Sequence, residues 1–133
     1  MLFSSDNTGG SYRQLARRAA KADGALGWAS VAVLGTPNDG SAFRACADAA
    51  NGLIQGNITV SGPRVRGQRV TAAGTLSWSA SGDVVIDEVS TTSDKRDLRL
   101  VCDHAGGAIY VWQDDRGPNF RIQLQGVSVS GAK

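Results

Sequence analysis

The chain moves between two hydrophobic periodicities. Near its start the apolar residues recur at helical spacing. Tyr12, Leu15, Ala19 and Ala22 fall on one face of "SYRQLARRAAKAD" (11–23). Ser11 suits the cap that opens such a helix, and Gly24 its end. The opposite face carries Arg13, Arg17 and Lys21 at i, i+4 and i+8. Like charges at that spacing repel by about 0.2–0.5 kcal/mol per pair. A helix of about 12 residues is marginal alone, so the pattern predicts one that is docked or continues into a longer helix. Residues 1–10, polar and glycine-rich, are expected to be a flexible N-terminal segment, with a single domain over 11–133.

Downstream the period becomes two. "WASVAVLG" (28–35) reads as a buried strand and "TPNDGS" (36–41) as turn chemistry. "AFRACADAANG" (42–52) fits either a short helix or an ordered loop. Alternation then runs through "NITVS" (57–61), through "GTLSWSASG" (74–82) with Leu76 and Trp78 on one side, and through "DVVIDEV" (83–89). In "DLRLVCD" (97–103), Leu98, Leu100 and Cys102 share a face, opposite Arg99, Val101 and Asp103. Gly106-Gly107 then gives a hairpin-like signal before "AIYVWQ" (108–113). In "NFRIQLQGVSVSG" (119–131), alternation predicts Phe120, Ile122 and Leu124 inward, with Arg121, Gln123 and Gln125 outward. A phase slip at Gly126 then hands the inward role to Val127 and Val129, as at a bulge. The expectation is an α+β domain: an N-terminal helix packed on an antiparallel sheet or sandwich of about seven short strands.

Composition narrows this without redirecting it. A chain of 133 residues suits one domain with a real core. Its 14 basic and 12 acidic residues leave a formal charge of +2, too little to argue for nucleic acid. The longest apolar stretch, "ALGWASVAVLG" (25–35), is short of the roughly 20 residues that span a bilayer. "MLFSSDNTGG" has neither the basic start nor the apolar middle of a signal peptide.

The candidate chemistry is sparse. The two cysteines, Cys46 and Cys102, fit no zinc spacing. Joined, they would close a long loop worth about 4 kcal/mol and imply an oxidising compartment. Unjoined, Cys102 would lie two residues from His104, the only histidine, as a thiol and its base would. Against that, Asp103 points to the other face and cannot orient His104. Cys102 also continues the inward series of Leu98 and Leu100. Asp114-Asp115 lack the ligand series of a calcium loop, and Asp87-Glu88 point to opposite faces of a strand. "GPRVRGQRV" (62–70) carries Arg64, Arg66 and Arg69, which suit either a charged, soluble edge strand or a polyanion site such as a DNA contact. Arg13, Arg17 and Lys21 are either solvated or face acidic groups on another subunit or on phospholipid. No residue is assigned a catalytic role, and no metal or cofactor is implied.

Taken in order, these stretches resemble one known group. "YRQLARRAAKADG" resembles the end of the long N-terminal helix in the GspH/FimT family of minor pilins and pseudopilins. "ASVAVLG", "TPNDGSAFRAC", "GTLSWSASGDVV", "LRLVCD" and "FRIQLQGVSV" follow in the order of that family's strands, so the resemblance runs over about residues 11–131. It implies a pilin-like fold and a non-enzymatic structural subunit of a type II secretion or type IV pilus system. Such a subunit assembles with other pilin-like subunits. The resemblance further implies a periplasmic domain of a filament or inner-membrane-anchored protein, attached through an apolar segment that this sequence does not contain. It is also consistent with paired cysteines at about these places. DNA-uptake members end in Gly-Arg-x-Arg; here Val127 and Val129 follow Gly126, so that DNA contact is not carried over.

Overall fold

A computed structural model describes residues 2–8, 11–17, 27–28, 32–33, 41–59, 62–80, 84–87, 93–116 and 118–133. Among these residues the protein is all-β, with ten strands and no helix, which corrects the α+β expectation. Strands β1 (Leu2–Thr8), β2 (Ser11–Arg17) and β3 (Ala32–Val33) form one antiparallel sheet in that order. Residues 11–17 of the segment expected to be helical therefore form β2, and residues 2–8 of the segment expected to be flexible form β1. Thr8 pairs with Ser11, so only Gly9-Gly10 separates the strands in sequence, a hairpin signal that outweighs a helical pattern too short to stand alone. In the ladder Arg13 stands in register with Asp6 and Arg17 with Leu2. Lys21, Ala19 and Ala22 lie outside the described residues.

The other two sheets face each other. One has the order β4 (Ser41–Ala47), β5 (Leu53–Ile58), β6 (Val65–Val70), β7 (Val84–Val85); the second has the order β10 (Arg121–Val127), β9 (Ala108–Asp114), β8 (Lys95–Cys102). All pairings are antiparallel. The stretch 42–52, left open between helix and loop, is β4 and a tight turn. In that turn Asp48 N–H donates to Gly52 O at 3.1 Å, and Asn51 takes a positive φ of 63°. Leu76 and Trp78 do not share a strand face. Leu76 makes a single bridge to Val70 and packs beside Trp28 and Leu53, whereas Trp78 packs against the core between the sheets. Between β7 and that bridge, the Gln68 carboxamide substitutes for a strand partner. Its Nε2 donates to Ser79 O at 2.8 Å and its Oε1 accepts from Trp78 N–H at 2.9 Å.

The core between the sheets holds Ile54, Ile58, Val65, Ile86, Leu98, Tyr110, Trp112 and Val127. Each such side chain contributes about 1.5–3 kcal/mol by leaving water. Tyr110 is its centre. Gly56 and Gly67 lie opposite each other on β5 and β6, and the ring passes over both. A Cβ at Gly56 would stand 2.6 Å from the ring, and one at Gly67 2.3 Å from the hydroxyl. The slot lets Tyr110 Oη donate to Gln55 O at 2.7 Å. A β-bulge between Arg96 and Arg99, with Asp97 at φ 51°, inserts a residue into β8. It allows Lys95 and Leu98, three apart, both to face inward.

The strand β10 corrects a second expectation. Its register with β9 runs unbroken from Arg121↔Asp114 to Val127↔Ala108, so no phase slip occurs at Gly126. Val127 is buried, and strict alternation then turns Ile122 and Leu124 outward, at 69% and 65% exposure. Phe120 and Val129 are also exposed. The ladder with β9 sets the phase, and the local hydrophobic pattern follows it.

Candidate functional site

Four places carry chemistry that the sequence singles out. The first is the end of β8. Cys102 is joined to Cys46 with a Cα–Cα distance of 5.9 Å, so the bridge ties β8 of one sheet to β4 of the other. Across a sequence separation of 56 it restricts the unfolded chain by about 4 kcal/mol in the chain-entropy model. His104 stands exposed at the tip of the β8–β9 turn with a positive φ of 61°. Asp103 shapes that turn, its Oδ1 accepting from Ala105 N–H at 2.7 Å and Gly107 N–H at 2.9 Å. The thiol and imidazole considered as a nucleophile and its base are thus a cross-sheet bridge and a turn residue.

The second is the basic strand. Its three arginines do not converge. Arg64 Nε meets Asp87 Oδ1 at 3.0 Å, and its Nη2 also donates to Asp87 O. Arg69 reaches Asp48, with Nη2 at 2.7 Å and Nε at 2.8 Å from Oδ2. Both carboxylates are buried. By strand alternation Arg66 takes the opposite face of β6 from Val65, Gly67 and Arg69. The charges of Arg64 and Arg69 are therefore neutralised inside the fold.

The third is a buried ion cluster that sequence reasoning does not foresee. Lys95 has no exposed side-chain surface. Its Nζ donates to Pro63 O at 3.0 Å and Ser93 Oγ at 3.1 Å, and lies 3.2 Å from Asp87 Oδ2. Asp87 Oδ1 also accepts from Val65 N–H at 3.0 Å, so one carboxylate clamps both sheets. Asp114, in register with Lys95 and 2.9 Å from Arg116 Nε, completes the cluster. Burial works against its charge, but hydrogen bonds from Ser93 and Arg116 and the fields of Lys95 and Arg116 hold its carboxyl below the usual carboxylate range. A serine beside a lysine invites comparison with Ser-Lys nucleophiles. Here the ammonium spends its hydrogens on fixed acceptors, and Ser93 is only 6% exposed, so neither a free base nor a reachable hydroxyl is on offer. Asp114 belongs to this cluster, and Asp115 Oδ1 accepts from Asp94 N–H at 2.8 Å, so the pair does not act as a calcium loop. Among the described residues no group of His, Cys, Asp and Glu could hold a metal ion.

The fourth is the outer face of the β8–β9–β10 sheet. Register places Val101 beside Ile109 and Gly126, Arg99 beside Val111 and Leu124, and Arg96 beside Gln113 and Ile122. Val101 is 62% exposed and Ile109 41%, so with Ile122 and Leu124 the apolar side chains form one continuous surface. Arg96 and Arg99 lie along its β8 side, and Phe120 covers the Arg96 guanidinium at 5.4 Å. Contiguous apolar surface with a polar rim marks an interaction site far more often than scattered single residues do. The sequence carried a signal for it. "AIYVW" (108–112) is an unbroken apolar run, as in strands covered on both faces.

Comparison with protein families, with characterised proteins and with solved structures gives no match for this chain.

Proposed function

We propose that the chain is a non-enzymatic structural subunit that works by assembling with other protein subunits, of the minor pilin or pseudopilin kind its motif series resembles. The observation that carries this reading is the exposed apolar face of Val101, Ile109, Ile122 and Leu124 on a sheet whose inner face already has its core. The Cys46–Cys102 bridge supports an oxidising location such as the periplasm. The assembly surface in this reading is the sheet face, in place of a basic helical stripe at Arg13, Arg17 and Lys21.

A photo-crosslinking residue at position 109, in cells that make the protein, tests it. The expected result is a covalent adduct with a pilin-like subunit, identified by mass spectrometry, and no such adduct from the exposed control position 119. Equal labelling from both positions would overturn the reading.

A further inference from the structure

We infer that a second copy of this chain pairs with the free edge of β10, two-fold about Leu124, to make one continuous six-stranded sheet; the inference rests on the assembly reading above. Among the described residues no strand pairs with the outer edge of β10. An exposed edge is normally blunted by charge, proline or a bulge. Arg121–Val127 has one charge, at its first residue, no proline, and an uninterrupted register with β9.

The choice of a second copy comes from the strand's own symmetry. Leu124 is the midpoint of β10, so an antiparallel pair about it is the one register that uses all seven residues. Arg121 then lies opposite Val127 of the other copy, and the two Arg121 side chains sit at opposite ends of the ladder. No like charges face each other. Gln123 meets Gln125, two side chains that can share hydrogen bonds. On the outer face Leu124 meets its own copy, and Ile122 lies opposite Gly126. A Cβ built at Gly126 would meet nothing within 4 Å, so the glycine is an open notch. Ile122 and Gly126 are equally spaced from Leu124, and the two-fold seats each isoleucine over the other copy's notch. Phe120 precedes the strand and lies over Arg96 of its own sheet, which leaves Ile122 to fill that space. Arg121 is the one charge an acidic partner would find on this edge, and it lies at the end of the strand, away from Ile122, Leu124 and the Gly126 notch. Opposite residues of an antiparallel pair share a face, so the two apolar surfaces join into one.

Sedimentation equilibrium of the purified, oxidised chain tests this. The wild type is expected to show a concentration-dependent monomer–dimer equilibrium. Leu124→Lys and Leu124→Glu each put like charges directly opposite one another and are expected to raise the dimer Kd roughly tenfold or more. An equimolar mixture of the two restores the dimer, because the two-fold sets one against the other. Gly126→Ile closes the notch and weakens the dimer as well. Val101→Lys, on the same face but on β8, leaves it intact. Thermal melts check that each variant folds; the substituted positions 101, 124 and 126 are all exposed. A wild type that stays monomeric, a mixture that fails to recover, or a Val101→Lys variant as disruptive as Leu124→Lys overturns the inference. Position-109 adducts with a different subunit, alongside a monomeric wild type, would sink the self-pairing and leave the assembly reading standing.

Discussion

The inner and outer faces of the β8–β9–β10 sheet are both apolar, and only one of them is a core. The inner face holds Leu98, Cys102, Ala108, Tyr110 and Trp112, closed by the facing sheet, the Cys46–Cys102 bridge and the clamp at Lys95. The outer face presents Val101, Ile109, Ile122 and Leu124 to water. Residues that look alike in sequence therefore do different work. On the inside they contribute to the stability of this fold; on the outside they contribute nothing until another surface covers them. The two faces separate what holds the molecule together from what it is built to meet.

The sharpest break of the inner face is Asp87→Ala. It leaves Lys95 buried beside Ser93 and Pro63 without its carboxylate, and releases Arg64 and the Val65 N–H. Removing one member of a buried ion pair costs about 3–5 kcal/mol. Urea denaturation is expected to show that loss as a lower midpoint. A drop of under about 1 kcal/mol would mean that the clamp does not join the sheets.

A smaller probe is Tyr110→Phe, which keeps the ring over Gly56 and Gly67 and removes only the hydrogen bond to Gln55 O. The expected loss at neutral pH is about 1 kcal/mol. The pH dependence is more telling. Burial raises the Tyr110 pKa well above its ordinary value. The unfolded chain then gives up that proton first. Its stabilising effect is whole below about pH 10 and is lost as pH rises through the folded-state pKa. Melting temperature against pH is expected to fall on the alkaline side in the wild type, and to fall less in Tyr110→Phe. Parallel alkaline limbs would show that the hydroxyl is not held in the core.

Much of the sandwich was legible in the sequence. Period-two alternation placed β8 and set Leu98, Leu100 and Cys102 inward, and the Gly106-Gly107 turn signal placed β9. Three features were not. The helical pattern at 11–17 is real, but apolar spacing alone cannot see that a cross-strand partner at 2–8 is available two glycines away. The phase of β10 is dictated by its ladder to β9, so Ile122 and Leu124 could not be assigned a side from their own alternation. The clamp joins Asp87 and Lys95 with Arg64 from a strand-end distant in sequence, and no local rule brings those residues together. Gly56 and Gly67 were a missed signal, since glycine inside a strand often marks the close approach of another group. The site fared similarly: the cysteines and arginines stood out by residue type, whereas the apolar outer face emerges only from register.

The smallest effect discriminates most directly between the two faces. Val101→Thr keeps the shape of the side chain and adds a hydroxyl. At a buried position that hydroxyl needs a partner, at a cost of about 1–3 kcal/mol. Val101 is open to water, so the substitution is expected to move the urea midpoint by no more than about 0.5 kcal/mol in either direction. Its retention on a hydrophobic-interaction column should nonetheless fall, because the patch loses one of its exposed apolar groups, and Ile109→Thr should lower it further. Unchanged stability with reduced retention is the signature of a surface kept apolar for something other than folding. A loss above about 1 kcal/mol would instead show that this face is covered by the chain's own residues, and the apolar surface would then be a second core.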